Sequence, residues 1–311
     1  MSDIPSGRPR TEANGAAPAP VFLAQAPAML RVAEALERAA ATDVRVVLYG
    51  EPGVGKSLAA RRIHALSARR TGPFARLSVR DGRAVERLSE GEFLRGLEGG
   101  TLVLEGIDEA PPEVQAVLVG VVEEWAGAEE AGERFVRVVS TGERDLLGQV
   151  ERGAFRRDLY YMIDVFPLLL PPLRERAEEI PLFLDHFFRR HAPDQEAPPV
   201  PRSFLDEAFA YGWPGNLREL ENLVVASLPA GGGRQWRFPK TLPRWGGEPR
   251  VLSFAEAKRE FERAYVRRLL LLTGGNVTRA AGLAGKARKD FYALMARNEV
   301  DPAEFRHGVK G

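Results

Sequence analysis

The sequence predicts an α/β fold, a parallel sheet around a phosphate-binding loop, with a helical subdomain after it and an all-α module at the end. Three observations carry this prediction. The β-branched apolar run Val44–Tyr49 leads through Gly50 to Gly55-Lys56-Ser57 at the spacing G-x-x-x-x-G-K-S, and the helix-forming run LAARRIHALSARR follows. Further short apolar runs then alternate with helical stretches as far as Pro171-Pro172. That alternation marks βαβ units, whose strands run parallel and whose ligands sit at the carboxyl ends of the strands. From Glu178 onward the periodicity is helical throughout.

The strand–turn–helix context gives the glycine-rich turn its meaning. Glycines let the backbone curl so that its N–H groups face a phosphate, and the helix N-terminus adds the positive end of its dipole. The expected nucleotide-binding residues are therefore Gly50, Glu51, Pro52, Gly53, Val54, Gly55, Lys56 and Ser57. Lys56 would reach the β- and γ-phosphates, and the Ser57 hydroxyl would ligate Mg²⁺.

The elements follow in order. Residues 1–20, rich in Pro, Gly and Ala, read as a disordered tail. Ala28–Ala41 carries Met29, Val32, Ala33, Leu36 and Ala40 at helical spacing. Phe74–Val79, Gly99–Leu104, Phe135–Ser140 and Val165–Leu170 read as strands, and residues 111–124 as a helix with Pro at its start. The acidic stretch Glu123–Glu133 reads as a solvated loop. Three helical runs (IPLFLDHFFRRH, SFLDEAFAYGW and NLRELENLVVASL) make the helical subdomain, with Phe183, Phe187 and Phe188 as core. Trp213-Pro214-Gly215-Asn216 is a turn inside it, and residues 231–250 read as a linker. The boundaries expected are 21–172 for the α/β part, 173–230 for the helical subdomain and 251–311 for the last module.

Composition bounds the chemistry. The 311 residues contain no cysteine, which excludes disulfides, thiolate metal sites and cysteine nucleophiles. The four histidines are scattered without ligand spacing. No apolar run approaches a membrane span and no signal-peptide core opens the chain, so a cytoplasmic protein without membrane contact is expected. Net charge is +1, yet residues 251–311 hold 12 Lys/Arg against 7 Asp/Glu, a basic module suited to nucleic acid.

The ordered series GEPGVGKS, GGTLVLEGIDEAP, FRRDLYY, LPPLRER, WPGNLREL and GNVTRAAGLAG, spread over residues 21–311, resembles the AAA+ domain plus Fis-type DNA-binding domain of bacterial enhancer-binding proteins, the activators of sigma-54 RNA polymerase. The resemblance implies an AAA+ P-loop sheet with a helical lid and a helix-turn-helix, ATP with Mg²⁺ as ligands, and oligomers with itself or with related activators. It implies that Arg218 is the lid's sensor arginine and Arg156 an arginine offered to the neighbouring subunit's ATP. Glu105 falls on the aspartate that orients Mg²⁺, one carbon longer. No sensory domain is expected ahead of residue 21. Arg174 and Arg176, in LPPLRER, either face a neighbouring subunit or form surface salt bridges.

Several matching positions depart from the family's pattern. Gly106 stands where a glutamate activates water, Gly142-Glu143 where Thr-Asn senses the phosphate, and Met162 where a second arginine finger belongs. Each loss removes water activation or charge neutralisation, commonly worth about 10²–10³ in rate. Asp108 and Glu109 lie past the strand end as substitute bases. The 24 residues between Phe74 and Gly99 contain no GAFTGA sequence, the loop that grips the sigma factor, which argues against a conventional contact with sigma-54 or RNA polymerase.

In the last module, a long amphipathic helix would place Phe254, Ala257, Phe261, Tyr265, Leu269 and Leu272 on one stripe and serve dimerisation. Asn276–Ala284 and Ala287–Asn298 would form the helix-turn-helix. Arg288, Lys289 and Tyr292 would face base edges of double-stranded DNA, with Arg279 on a phosphate. The resulting expectation is an ATP-binding, DNA-binding transcriptional regulator with weakened or absent hydrolysis. An active ATPase that remodels a partner, and a non-catalytic module that modulates intact activators, stand as alternatives.

Overall fold

The computed structural model describes residues 21–228 except 133 and 144, then residue 236, part of 259–275, and 276–302 except 299. The tail 1–20 and all of 231–250 but Trp236 lie outside the described residues. The chain divides into two units, Met1–Gly246 and Gly247–Gly311.

In the first unit, strands β1 (Val46–Tyr49), β2 (Phe74–Ser78), β3 (Thr101–Glu105), β4 (Arg137–Gly142) and β5 (Phe166–Leu169) form one sheet in the order β2-β3-β4-β1-β5. Every pair is parallel. Such a sheet needs cover on both faces, and the strands alternate accordingly. Val47, Leu102, Leu104 and Val138 pack under helices α3 (Arg83–Ser89), α5 (Pro112–Glu130) and α7 (Arg157–Ile163). Val46, Leu48, Val103 and Val139 pack on the other face under α1 (Pro27–Ala40) and α2 (Lys56–Leu66). The register aligns Val46, Val139 and Val103 in one row across three strands. It also brings Tyr49 level with Gly142 and Glu105 level with Thr141, so the ends of the three central strands open on one edge.

Two sequence expectations change in the α/β part of this unit. The stretch Glu123–Glu133 is not a loop for most of its length, because α5 runs on to Glu130. Nothing breaks the helix before Gly132, whose φ is +73°, and buried Trp125 anchors its later turns. Helix α1 buries Ala35 and Ala39 beside Met29, Val32, Leu36 and Ala40, while Ala33 is only half-buried. Between β2 and β3, α3 and α4 (Gly91–Arg95) take up the chain.

After β4 come α6 (Leu146–Glu151), α7 and β5, and then the helical subdomain: α8 (Ile180–His191), α9 (Arg202–Ala210) and α10 (Asn216–Ser227). Phe183, Phe187 and Phe188 are buried in its core as expected, with Trp213 and Leu220. Trp236, in the stretch expected as linker, is also buried there. Its ring lies 6.0 Å from Phe188 and 5.6 Å from Phe204, and its indole N–H donates to the Pro198 carbonyl at 3.0 Å. An indole seldom stays in water when an apolar groove and one acceptor are within reach.

In the second unit, Asn276 caps helix α11 (Val277–Leu283), its side chain accepting from the Arg279 N–H at 3.1 Å. Gly285, with φ +61°, turns the chain into α12 (Arg288–Arg297). Their core includes Ala280, Phe291, Leu294 and Met295 with Val266, Leu269 and Leu270. Phe254, Ala257, Phe261 and Leu272 of the expected stripe lie outside the described residues. Of the remaining two, Leu269 is buried but Tyr265 is exposed; Val266 and Leu270 take the inner face instead. Positions 266, 269, 270 and 273 keep the i, i+3, i+4 spacing that one helical face requires. Among the described residues, no helix is long and apolar enough to cross a membrane.

Candidate functional site

The glycine-rich turn joins β1 to α2 as the sequence predicts, and its backbone calls for glycine. Gly53 and Gly55 have φ of +78° and +109°, a region that side-chain-bearing residues rarely enter. Lys56 turns back over the loop, its ammonium donating to the carbonyls of Gly50 at 2.5 Å and Glu51 at 3.1 Å. Burial lowers its pKa, opposed by the nearby carboxylates of Glu143 and Asp108.

The loop is fastened to the helical subdomain by groups far away in sequence. Asn216 donates to the Glu51 carboxylate at 3.1 Å and the Pro52 carbonyl at 3.0 Å, while its own carbonyl accepts from the Leu173 N–H at 2.7 Å. The Leu217 N–H reaches the Gly53 carbonyl at 3.1 Å. Arg174 forks onto Glu51 at 2.6 and 2.9 Å, holding that carboxyl below its usual range. Arg176 is 1% exposed; it donates to the Val54 carbonyl at 2.8 Å and pairs with buried Glu179 at 3.4 Å. The salt-bridge alternative holds for Arg174, which pairs with Glu51 at the surface of the loop, and neither alternative holds for Arg176. Arg176 is neither at the surface nor free for a neighbour, and Arg174 serves its own loop. The physical reason is that the carbonyls of Pro52, Gly53 and Val54 and the Glu51 carboxylate need donors; the turn after β5 supplies Arg174 and Arg176, and the start of α10 supplies Asn216 and the Leu217 N–H.

A cleft of about 800 Å³ opens between loop and lid. Pro52, Gly53, Gly55, Lys56, Ser57, Glu105 and Arg218 all line it, so most expected nucleotide-binding residues converge. Gly50, Glu51 and Val54 do not line it: Gly50 receives Lys56, Glu51 points to the lid and Val54 is buried. Arg156 lies outside the cleft of its own chain, exposed and held by Asp158 at 2.6 Å.

The positions that depart from the expected pattern have neighbours adapted to them. Gly106 has φ +76°, and the space a Cβ would take is filled by the Arg80 side chain. A Cβ on Gly142 would lie 2.9 Å from a carboxylate oxygen of Asp108. Asp108 is itself 4% exposed and is not part of the cleft lining, which places the substitute base behind the wall.

The oxygens expected to hold Mg²⁺ are present but engaged. Ser57 donates to Glu105 at 3.1 Å, and Arg76, from β2, places Nε at 2.8 Å and a terminal nitrogen at 2.7 Å from the same carboxylate oxygen. The second contact of that nitrogen is Ser57 Oγ at 3.4 Å. A guanidinium thus stands on both donors, so this arrangement does not fit Mg²⁺ as it is. The sequence suggests no role for Arg76 or Glu179, and it does not show that Asn216 and Arg176 fasten the loop. One signal was legible: in Trp213-Pro214-Gly215-Asn216 both Trp213 (φ +47°) and Asn216 (φ +52°) are left-handed, and asparagine is the non-glycine residue that tolerates this best.

In the second unit, Arg288, Lys289 and Tyr292 are exposed on the first turns of α12, the arginine 5.7 Å above the tyrosine ring. Arg279 is exposed on α11.

The sequence pattern of the sigma-54 interaction domain matches residues 23–173, and that of the AAA+ ATPase lid domain matches 174–231. The transcriptional regulatory protein GlrR of Escherichia coli K12 is 34% identical over 312 residues, covering 92% of this chain and 69% of GlrR. The chain belongs to the family of sigma-54-dependent transcriptional regulators. ZraR of Salmonella typhimurium, another regulator of this family, is 31% identical over 311 residues, covering 89% of this chain and 68% of ZraR. Among solved structures, NtrX of Brucella abortus in complex with ATP matches with a TM-score of 0.61 at 28% identity, covering 90% of this chain and 69% of NtrX. The AAA+ fold class is therefore that of the family, with the five-stranded parallel sheet and helical lid described above.

Proposed function

We propose that this regulator binds ATP in the cleft between loop and lid as a regulatory ligand, hydrolyses it weakly or not at all, and binds double-stranded DNA through α11 and α12. The convergence of Lys56, Ser57 and Arg218 on one cleft, with Gly106 where a water-activating carboxylate would stand, carries this reading. The bound ATP of NtrX supports the choice of ligand. Lys56 would meet the β- and γ-phosphates and Arg218 would sense them from the lid. Arg156, outside its own cleft, suits a phosphate on the next subunit, so ATP would favour oligomers of this chain or mixed oligomers with related activators. Sigma-54 and RNA polymerase are partners the family supports, by a surface other than a GAFTGA loop.

Steady-state turnover measured beside nucleotide affinity tests the first part. Micromolar ATP binding with turnover under about 0.1 s⁻¹ is the expected pair of results. Turnover in the range of about 1–10 s⁻¹ would favour a working ATPase instead.

The DNA part makes a separate prediction. Arg288→Ala should cost about 1–3 kcal/mol at the chain's own DNA site and relax its sequence preference. Arg279→Ala should weaken binding evenly across sequences and lower the salt slope by about 1. Fluorescence anisotropy on specific and scrambled duplexes at several salt concentrations reads both effects. Equal effects of the two substitutions on all sequences would remove Arg288 from base reading.

A further inference from the structure

We infer that Arg76 occupies the place of the divalent cation, so that the cleft takes a nucleoside triphosphate without requiring a metal ion. This rests on the nucleotide reading above and deepens it. The expected metal ligands are two oxygens, Ser57 Oγ and the Glu105 carboxylate, 3.1 Å apart. Two nitrogens of the Arg76 guanidinium bond one carboxylate oxygen at 2.7 and 2.8 Å, and the terminal one is also 3.4 Å from the serine hydroxyl. The planar guanidinium fork matches a carboxylate and carries the positive charge that an ion would bring there.

Admitting Mg²⁺ would mean breaking that fork and bringing a doubly charged ion to about 2.1 Å from the Glu105 oxygen, beside a displaced cation. Mg²⁺ also gives up its waters reluctantly and is commonly held by one or two carboxylates plus substrate phosphates. Here the Glu105 carboxylate is already paired with Arg76. The cleft has other means of balancing a triphosphate. Its wall carries six lysine and arginine side chains, Lys56, Arg61 and Arg218 among them, against three carboxylates. Arginine's planar fork matches phosphate oxygens in pairs. Arg76, one-third exposed toward the cleft, can hold Glu105 with one edge and turn the other to the nucleotide.

The test is ATP binding to the full chain by titration calorimetry, in magnesium buffer and in EDTA. The two wild-type dissociation constants should agree within about threefold. Arg76→Ala should lose about tenfold or more in EDTA and regain most of that when magnesium is added, because Ser57 and Glu105 are then open to the ion. A wild type that loses about tenfold or more in EDTA would overturn the inference, and so would an identical buffer response of wild type and Arg76→Ala. The wild-type comparison stands on its own if Arg76→Ala does not fold. Failure of ATP to bind in either buffer is a different result: it would remove the nucleotide reading itself, and this inference with it.

Discussion

Replacing Lys56 with alanine should weaken ATP binding by about 100-fold, the equivalent of one strong hydrogen bond to a charged group. The ammonium sits at the mouth of the loop, 2.5 Å from the Gly50 carbonyl and 3.1 Å from that of Glu51. It is thus held in position before any ligand arrives, and a phosphate gains its charge without the cost of ordering a flexible side chain. Burial lowers its pKa, and Glu143 and Asp108 oppose that shift. Loss of the side chain removes charge and hydrogen bonds together, and leaves the Glu51 carboxylate still bound by Arg174 and Asn216. The loop should therefore keep its shape, with little change in thermal stability. Calorimetric titration of ATP beside a thermal melt separates the two effects. Undiminished affinity would remove the central claim about this cleft; a collapsed melt would show that Lys56 supports the fold instead.

Glu179→Ala should destabilise the first unit by about 3–5 kcal/mol, the usual consequence of removing one partner from a buried ion pair. Glu179 is fully buried and does three things with two oxygens. Oε1 accepts from the N–H groups of Gln25 and Ala26 at 2.7 and 2.9 Å, and Oε2 faces Arg176 at 3.4 Å. Arg176 in turn donates to the Val54 carbonyl and lies 5.9 Å from the Phe183 ring. Without the carboxylate, a guanidinium with 1% exposure is left uncompensated, and two N–H groups lose their acceptor. Burial already lowers the Arg176 pKa, with Glu179 opposing that shift. Glu179→Gln keeps one acceptor and the shape but not the charge, and should fall between wild type and alanine. Urea denaturation, with ATP present and absent, reads the loss. A change under about 1 kcal/mol for the alanine variant would mean that water or a neighbour replaces the carboxylate easily.

The strand before the loop, the glycines at 53 and 55, and the three lid helices were all legible in the sequence, because each depends on residues a few positions apart. The cap at Asn276 and the break at Gly285 were legible for the same reason. The stretch Glu123–Glu133 misled because acidic composition suggests a solvated loop, while a helix needs only the absence of breakers and a buried anchor such as Trp125. Trp236 misled because its neighbours in the chain are glycines and prolines, but its neighbours in space are Phe188 and Phe204.

The site divides along the same line. By itself the sequence determined the strand–glycine turn–helix around Lys56 and Ser57, the ordered motifs by which the chain resembles its family, and a glycine at position 106, since each is a matter of residue types in order along the chain. Only the tertiary structure decided what holds the loop and what stands against Ser57 and Glu105. Arg76 meets Glu105 across 29 positions, Arg176 meets Val54 across 122, and Asn216 meets Glu51 across 165. Such partners are chosen by the register of parallel strands and by the turn that brings the lid back over the loop. A surface arginine and a buried arginine look alike in one dimension, and they differ only in which carbonyls and carboxylates the fold places within reach.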